Sequence, residues 1–155
     1  MNTIAATSAE SLSSQPPVSP RHPSPGAPST VLIASNDSKM RAYLSKILGD
    51  RGLEVECVDG VRTAHEFFTG GDVAACLCGF GLKDGTYKEL VKLARRQSPE
   101  IPVVIVSTPS CPNEYSEYLA AMNAGAFDFL CYPYQAREVE RILRLAVAFS
   151  SRIAR

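Results

Sequence analysis

The sequence has no surplus of charge of either sign: 16 acidic side chains offset 16 basic ones among 155 residues. A general nucleic-acid or membrane-surface binder needs a basic excess, so the balance argues against both kinds of partner. Histidine is nearly absent. His22 and His65 are the only two, and neither has a carboxylate or cysteine at metal-ligand spacing. No apolar run approaches the roughly 18 residues that cross a bilayer. The N-terminus lacks both the basic start and the apolar stretch of a signal peptide. A soluble, cytoplasmic protein is expected. A further absence is local: no carboxylate occurs between Asp72 and Asp84.

The five cysteines, Cys57, Cys76, Cys78, Cys111 and Cys131, are odd in number, and four lie in or beside apolar runs. They read as buried free thiols in a reducing compartment. Cys76 and Cys78 fall on one face of a strand, without the second pair a zinc site needs. No histidine or lysine lies near Cys78 in sequence to activate it as a redox nucleophile.

Residues 1–29 hold six of the eleven prolines and seven serines, with Glu10 and Arg21 as their only charges. Such a segment has too little apolar surface to offset its ordering entropy, so it reads as a disordered Ser/Pro-rich tail. Order is expected over 30–150, with 151–155 as the end of the last helix or a frayed tail.

Val31–Ala34 is a short apolar run, as in a strand covered on both faces. Ser35-Asn36-Asp37-Ser38 supplies helix caps, and Met40, Tyr43, Leu44, Ile47 and Leu48 fall on one helical face. Leu53–Val58 alternates, as in a half-exposed strand near an edge. Val61, Ala64, Phe67 and Phe68 mark a second helix ending at Gly70-Gly71, and Val73–Cys78 a second buried strand. Thr86 caps a helix that turns Leu90, Val91 and Ala94 inward. Pro102–Val106 is the strongest strand signal, β-branched and uncharged. Tyr115, Tyr118, Leu119 and Met122 predict a fourth helical stripe. A strand follows over 127–131, then a helix with Val139, Ile142, Leu143, Ala146 and Val147 inward.

Strand and helix thus alternate five times. That predicts an α/β fold: a doubly wound parallel sheet of the flavodoxin-like (βα)5 kind, with strand order 2-1-3-4-5. In such sheets ligands bind at the carboxyl ends of the strands. Here the stretch from Cys76 to Gly85 runs from a buried strand into a glycine-rich loop. Gly79 and Gly81 flank Phe80, but the spacing is neither that of a phosphate loop nor of a dinucleotide fingerprint.

Four patterns, in order along this alternation, resemble the response-regulator receiver domain of two-component signalling. They are Met40-Arg41 after the first loop; Phe80-Gly81-Leu82-Lys83-Asp84-Gly85 after the third strand; Val104-Ile105-Val106-Ser107; and Ala124-Gly125-Ala126 with Phe129-Leu130-Cys131-Tyr132-Pro133-Tyr134. The last is the most specific, since the spacing from Gly125 to Pro133 also fits. The resemblance covers residues 31–149.

It implies a phosphoacceptor aspartate at the end of strand three, an acidic pair that holds Mg²⁺ after strand one, a Thr or Ser after strand four and a lysine before the proline. A carboxylate is the nucleophile, Mg²⁺ takes hard oxygen ligands, and the new dianion needs fixed donors. This sequence departs from the pattern at nearly every position. Ser35 and Asn36 stand at the acidic pair, with Asp37 one place later as a weak candidate metal ligand that reads first as a helix cap. Gly79 stands at the phosphoacceptor position, or Leu77 when the count runs back from Asp84-Gly85; Gly79 is preferred, and neither is a nucleophile. Tyr132 replaces the lysine. Ser107 alone survives, with Phe129 as the aromatic that in the family moves with that hydroxyl.

The resemblance therefore implies a degenerate pseudo-receiver, not an enzyme, with no cofactor and no Mg²⁺ binding. Its expected partner is a protein of a two-component-like pathway. Tyr115, Tyr118, Phe129, Tyr134 and Arg137 are the candidate partner face, which could also pair two copies. Because the sequence stops soon after the fifth helix, no output domain is expected to follow it. Two rival readings stay open: phosphorylation at Asp37 or Asp84, and a small-ligand sensor whose emptied pocket is lined by Gly79, Ser107 and Tyr132.

Overall fold

The computed structural model describes residues 30–154 apart from Pro112. The Ser/Pro-rich segment 1–29 and its His22 lie outside the described residues. Twelve elements follow in order: β1 (Thr30–Ala34), α1 (Ser38–Gly49), β2 (Glu54–Val58), α2 (Val61–Gly70), β3 (Val73–Cys78), a hairpin of β4 (Gly81–Leu82) and β5 (Gly85–Thr86), α3 (Tyr87–Gln97), β6 (Val103–Val106), α4 (Glu114–Ala124), β7 (Asp128–Leu130) and α5 (Ala136–Ala154).

The five long strands form one parallel sheet in the order β2-β1-β3-β6-β7. This is the expected doubly wound order, with the small β4–β5 hairpin inserted after the third strand. Side-chain alternation divides the core between the two faces. Leu32, Ala34, Cys76, Cys78, Val103 and Ile105 face Phe68, Leu90, Val91 and Ala121 on the side of α2, α3 and α4. Val31, Ile33, Ala75, Leu77, Val104 and Val106 face Leu44, Leu48, Val139 and Ile142 on the side of α1 and α5. Each large aliphatic side chain so enclosed contributes about 1.5–3 kcal/mol.

Helix ends follow local chemistry. Asp37 caps α1 by accepting from the backbone N–H groups of Lys39 and Met40 at 3.0 and 3.3 Å. Thr86 and Glu89 form a capping box on α3. Gly71 and Gly125 close α2 and α4 with φ of 87° and 110°, the left-handed conformation that favours glycine.

Several expectations are corrected. On the fourth helical stripe Tyr115, Tyr118 and Leu119 are exposed, Met122 is partly buried against the core, and Ala121 is the buried residue of α4. The helix lies over only the edge strand β7 and its neighbours, so it has little sheet to cover. Tyr43 points outward as well. Burial of free thiols holds for Cys76 and Cys78, which share the α2–α4 face; Cys57 and Cys131 are exposed and Cys111 is half-buried. Cys57 sits on edge strand β2, where one face is open to solvent. His65 is also not free, for its Nε2 lies 2.6 Å from Gln97 Oε1 and joins α2 to α3.

Candidate functional site

The carboxyl edge of the sheet is assembled from the residues that follow β1, β3, β6 and β7. On the β1–β3 side, the Gly79 N–H donates to the Ala34 carbonyl at 2.9 Å, extending the strand pairing one residue past β3. Gly79 thereby comes to face Ser35. A Cβ built on Gly79 would stand 2.8 Å from Ser35 Oγ and 3.2 Å from Met40 Cε. The space that a side chain at position 79 would take is already filled. Leu77 belongs elsewhere, buried among the side chains under α1 and α5.

Ser35 is itself buried and engaged. Its Oγ accepts from the Asp37 N–H at 3.0 Å, and its carbonyl accepts from Arg41 Nη1 at 2.6 Å. Asn36 is exposed, and its N–H donates to the Gly81 carbonyl.

The acidic side chains around this edge are dispersed, each bound to a local partner. Asp37 caps α1. Asp59 Oδ1 lies 3.5 Å from Lys83 Nζ in an exposed pair. Asp84 caps a helix distant in sequence: its two carboxylate oxygens accept from the N–H groups of Val61 and Arg62 at 2.6 and 3.2 Å. The Val61 and Arg62 N–H groups hold its carboxyl below the ordinary value of 3.8. Helix α2 needs this help because its own N-cap, Gly60, has no side chain to offer. Among the described residues, no three His, Cys, Asp or Glu side chains gather closely enough to hold a metal ion.

The β6–β7 side is built differently. Ser107 is fully buried, and all of its polar groups are used. Its N–H donates to the Leu130 carbonyl at 2.9 Å. Its Oγ accepts from the Tyr132 N–H at 2.7 Å and donates to Glu114 Oε2 at 2.9 Å. Its carbonyl accepts from the Tyr134 hydroxyl. Burial, then the nearby Asp37 carboxylate, pushes the Tyr134 phenol up to about 12, so it remains a donor at neutral pH. Tyr132 is exposed and packs edge-on against Tyr134, with ring centres 5.3 Å apart.

The candidate partner face is corrected here. Phe129 is only 5% exposed and Tyr134 only 7%, so neither can meet a partner. Phe129 is enclosed by Phe80, at 6.2 Å between ring centres, and by Tyr118, edge-on at 5.9 Å. Tyr115, Tyr118 and Arg137 stay exposed, with Leu119 and Tyr132 beside them. Tyr115, at 71%, is the most open of the three tyrosines and Leu119.

Two residues of this site escaped the sequence reading. Nothing in sequence marks Glu114 as the acceptor for Ser107, since it reads as an ordinary first-turn acid. Nothing marks Asp84 as a cap for a helix that begins 23 residues earlier.

The model of the response regulator receiver domain matches residues 31–144. Among curated relatives, the chain is 32% identical over 120 residues to the two-component response regulator ORR11 of Oryza sativa subsp. indica, covering 76% of this chain and 80% of that protein. It is 24% identical over 119 residues to the DNA-binding transcriptional regulator NtrC of Rhizobium meliloti (strain 1021), covering 77% of this chain. It spans only 24% of the length of that NtrC. Among solved structures, a response regulator receiver domain protein from Clostridium thermocellum superposes with a TM-score of 0.71 at 16% identity, over 81% of this chain and 98% of that one.

Proposed function

Since this chain belongs to the response regulator receiver domain family, the fold of a two-component signalling module is the premise, and we propose that this receiver works without accepting phosphate. Gly79 takes the phosphoacceptor position, and Ser35 and Asn36 take the positions of the acidic pair. Tyr132 takes the position of the lysine.

The observation that carries this reading is the filled space beside Gly79, where Ser35 Oγ and Met40 Cε stand within 2.8 and 3.2 Å of the missing Cβ. The site has no carboxylate to attack a phosphoryl donor, no acidic pair to hold Mg²⁺ and no lysine to balance a dianion. The nearest acids, Asp37 and Asp84, are engaged as helix caps, which disfavours phosphorylation at either.

Output then rests on contact with another protein of a two-component-like pathway, or with a second copy, in a cytoplasmic setting. Tyr115, Tyr118 and Arg137 form the exposed part of the candidate face, and Tyr and Arg are residue types enriched where binding energy concentrates. Among the described residues, no helix is long and apolar enough to cross a membrane.

The test is incubation with acetyl phosphate and Mg²⁺, and separately with a phosphorylated histidine kinase, read by intact mass. The expected result is an unchanged mass. A hydroxylamine-labile phosphate adduct would overturn the reading, and peptide mapping would show whether Asp37 or Asp84 carries it.

A further inference from the structure

Helix α4 fully buries one residue, Ala121, with Met122 and Ala124 partly buried against the same core. Tyr118 leans edge-on against Phe129, and the outer residues Tyr115 and Leu119 face solvent. At its N-terminal end the tie to the sheet is polar. The Ser107 hydroxyl donates to the half-buried Glu114 carboxylate at 2.9 Å while accepting from the Tyr132 N–H at 2.7 Å. Cys131 lies between Leu130 and Tyr132, the two residues whose backbones Ser107 grips.

A hydrogen bond to an ionised acceptor is stronger than a neutral one, and more so where water is partly excluded. The first turn of α4, the end of β6 and the end of β7 therefore meet at the Ser107 hydroxyl, which Glu114 holds from the helix. We propose that Glu114 is a positioning residue: through the Ser107 hydroxyl it latches the start of α4 to the ends of β6 and β7, and so fixes the placement of Tyr115 and Tyr118. This rests on the reading of the site as one that does not signal by phosphate; a carboxylate of the chain's own keeps the Ser107 hydroxyl permanently occupied.

Hydrogen exchange of the full chain, read by mass spectrometry, tests it. In E114A, amides in the first two turns of α4 should exchange about tenfold faster. S107A should do the same, and the double variant should be no faster than either, because the two residues act as one unit. E114Q, which keeps an acceptor but not the charge, should speed that exchange by less than E114A and carries the test if the alanine variants fail to fold; S107T, which keeps the hydroxyl, should stay close to the unmodified chain.

A second readout reports the carboxylate directly. Burial and then Glu114 raise the Cys131 thiol, so E114Q should speed alkylation of Cys131 at neutral pH and leave that of Cys57 unchanged. Unaltered α4 exchange in E114A, additive effects in the double variant, or Cys131 alkylation indifferent to E114Q would each overturn the latch. None of these measurements uses a phosphoryl donor. A phosphate adduct would therefore end the earlier reading, and slow exchange in E114A would end this one.

Discussion

The two halves of the sheet's carboxyl edge solve the same problem in opposite ways. Both must finish strands whose last polar groups lie beneath loops. On the β1–β3 side this is done by close packing of Gly79 against Ser35 and Met40, with Ser35 accepting from the Asp37 backbone and from Arg41. On the β6–β7 side it is done with a network around Ser107 that recruits a carboxylate from a helix and a phenol from the following loop. One half is closed by short-range packing and the other by a network that includes a carboxylate.

The largest effect should come from forcing charge into the closed half. Gly79→Asp puts a side chain into space held by Ser35 and Met40 and leaves its charge without a cation. It should cost about 2–4 kcal/mol by urea unfolding and should gain no phosphate from acetyl phosphate. Adding Ser35→Ala should restore part of that loss. Full stability in G79D would show that this half is open after all.

Next comes removal of the centre of the wired half. Ser107→Ala leaves the Tyr132 N–H without its acceptor and should lower stability by about 1–3 kcal/mol, seen as a shifted midpoint at an unchanged urea slope. A neutral result would dissolve the contrast between the halves.

A smaller effect is expected at the rim. Asp84→Ala uncaps α2 from outside its own sequence. Because the folded-state carboxyl lies below its ordinary value of 3.8, its contribution is present above that value and is lost as pH falls through the lower folded value. The midpoint gap between D84A and the unmodified chain should thus be seen at neutral pH and vanish in acid. A gap independent of pH would remove Asp84 from the cap. Least of all, Tyr115→Ala should change stability by no more than about 0.5 kcal/mol, which would mark that ring as free for a partner.

The sheet was legible in the sequence because each strand carries its own signal. Val31–Ala34, Val73–Cys78 and Val103–Val106 are apolar without interruption, and helical spacing separates them. The absence of a carboxylate at the end of β3 was legible as well, and β3's pairing with β1 sets Gly79 opposite Ser35. What stayed hidden depends on distance in sequence. Periodicity put Tyr115, Tyr118 and Leu119 on one stripe, but it cannot say whether a sheet lies beneath that stripe. The family resemblance put Phe129 and Tyr134 on a partner face, yet their burial depends on Phe80, Tyr118 and Ser107 meeting them in space. The Asp84 cap and the Glu114 bond join loops to helices that no local window contains.

The occupied gap beside Gly79 also constrains how this pocket could change over generations. An acidic side chain at 79 and the present rotamers of Ser35 and Met40 exclude one another. A single change to Asp at 79 would therefore meet a steric bar unless Ser35 and Met40 moved with it. Packing of this kind couples positions, so that a substitution at one is accommodated only with adjustment at its neighbours.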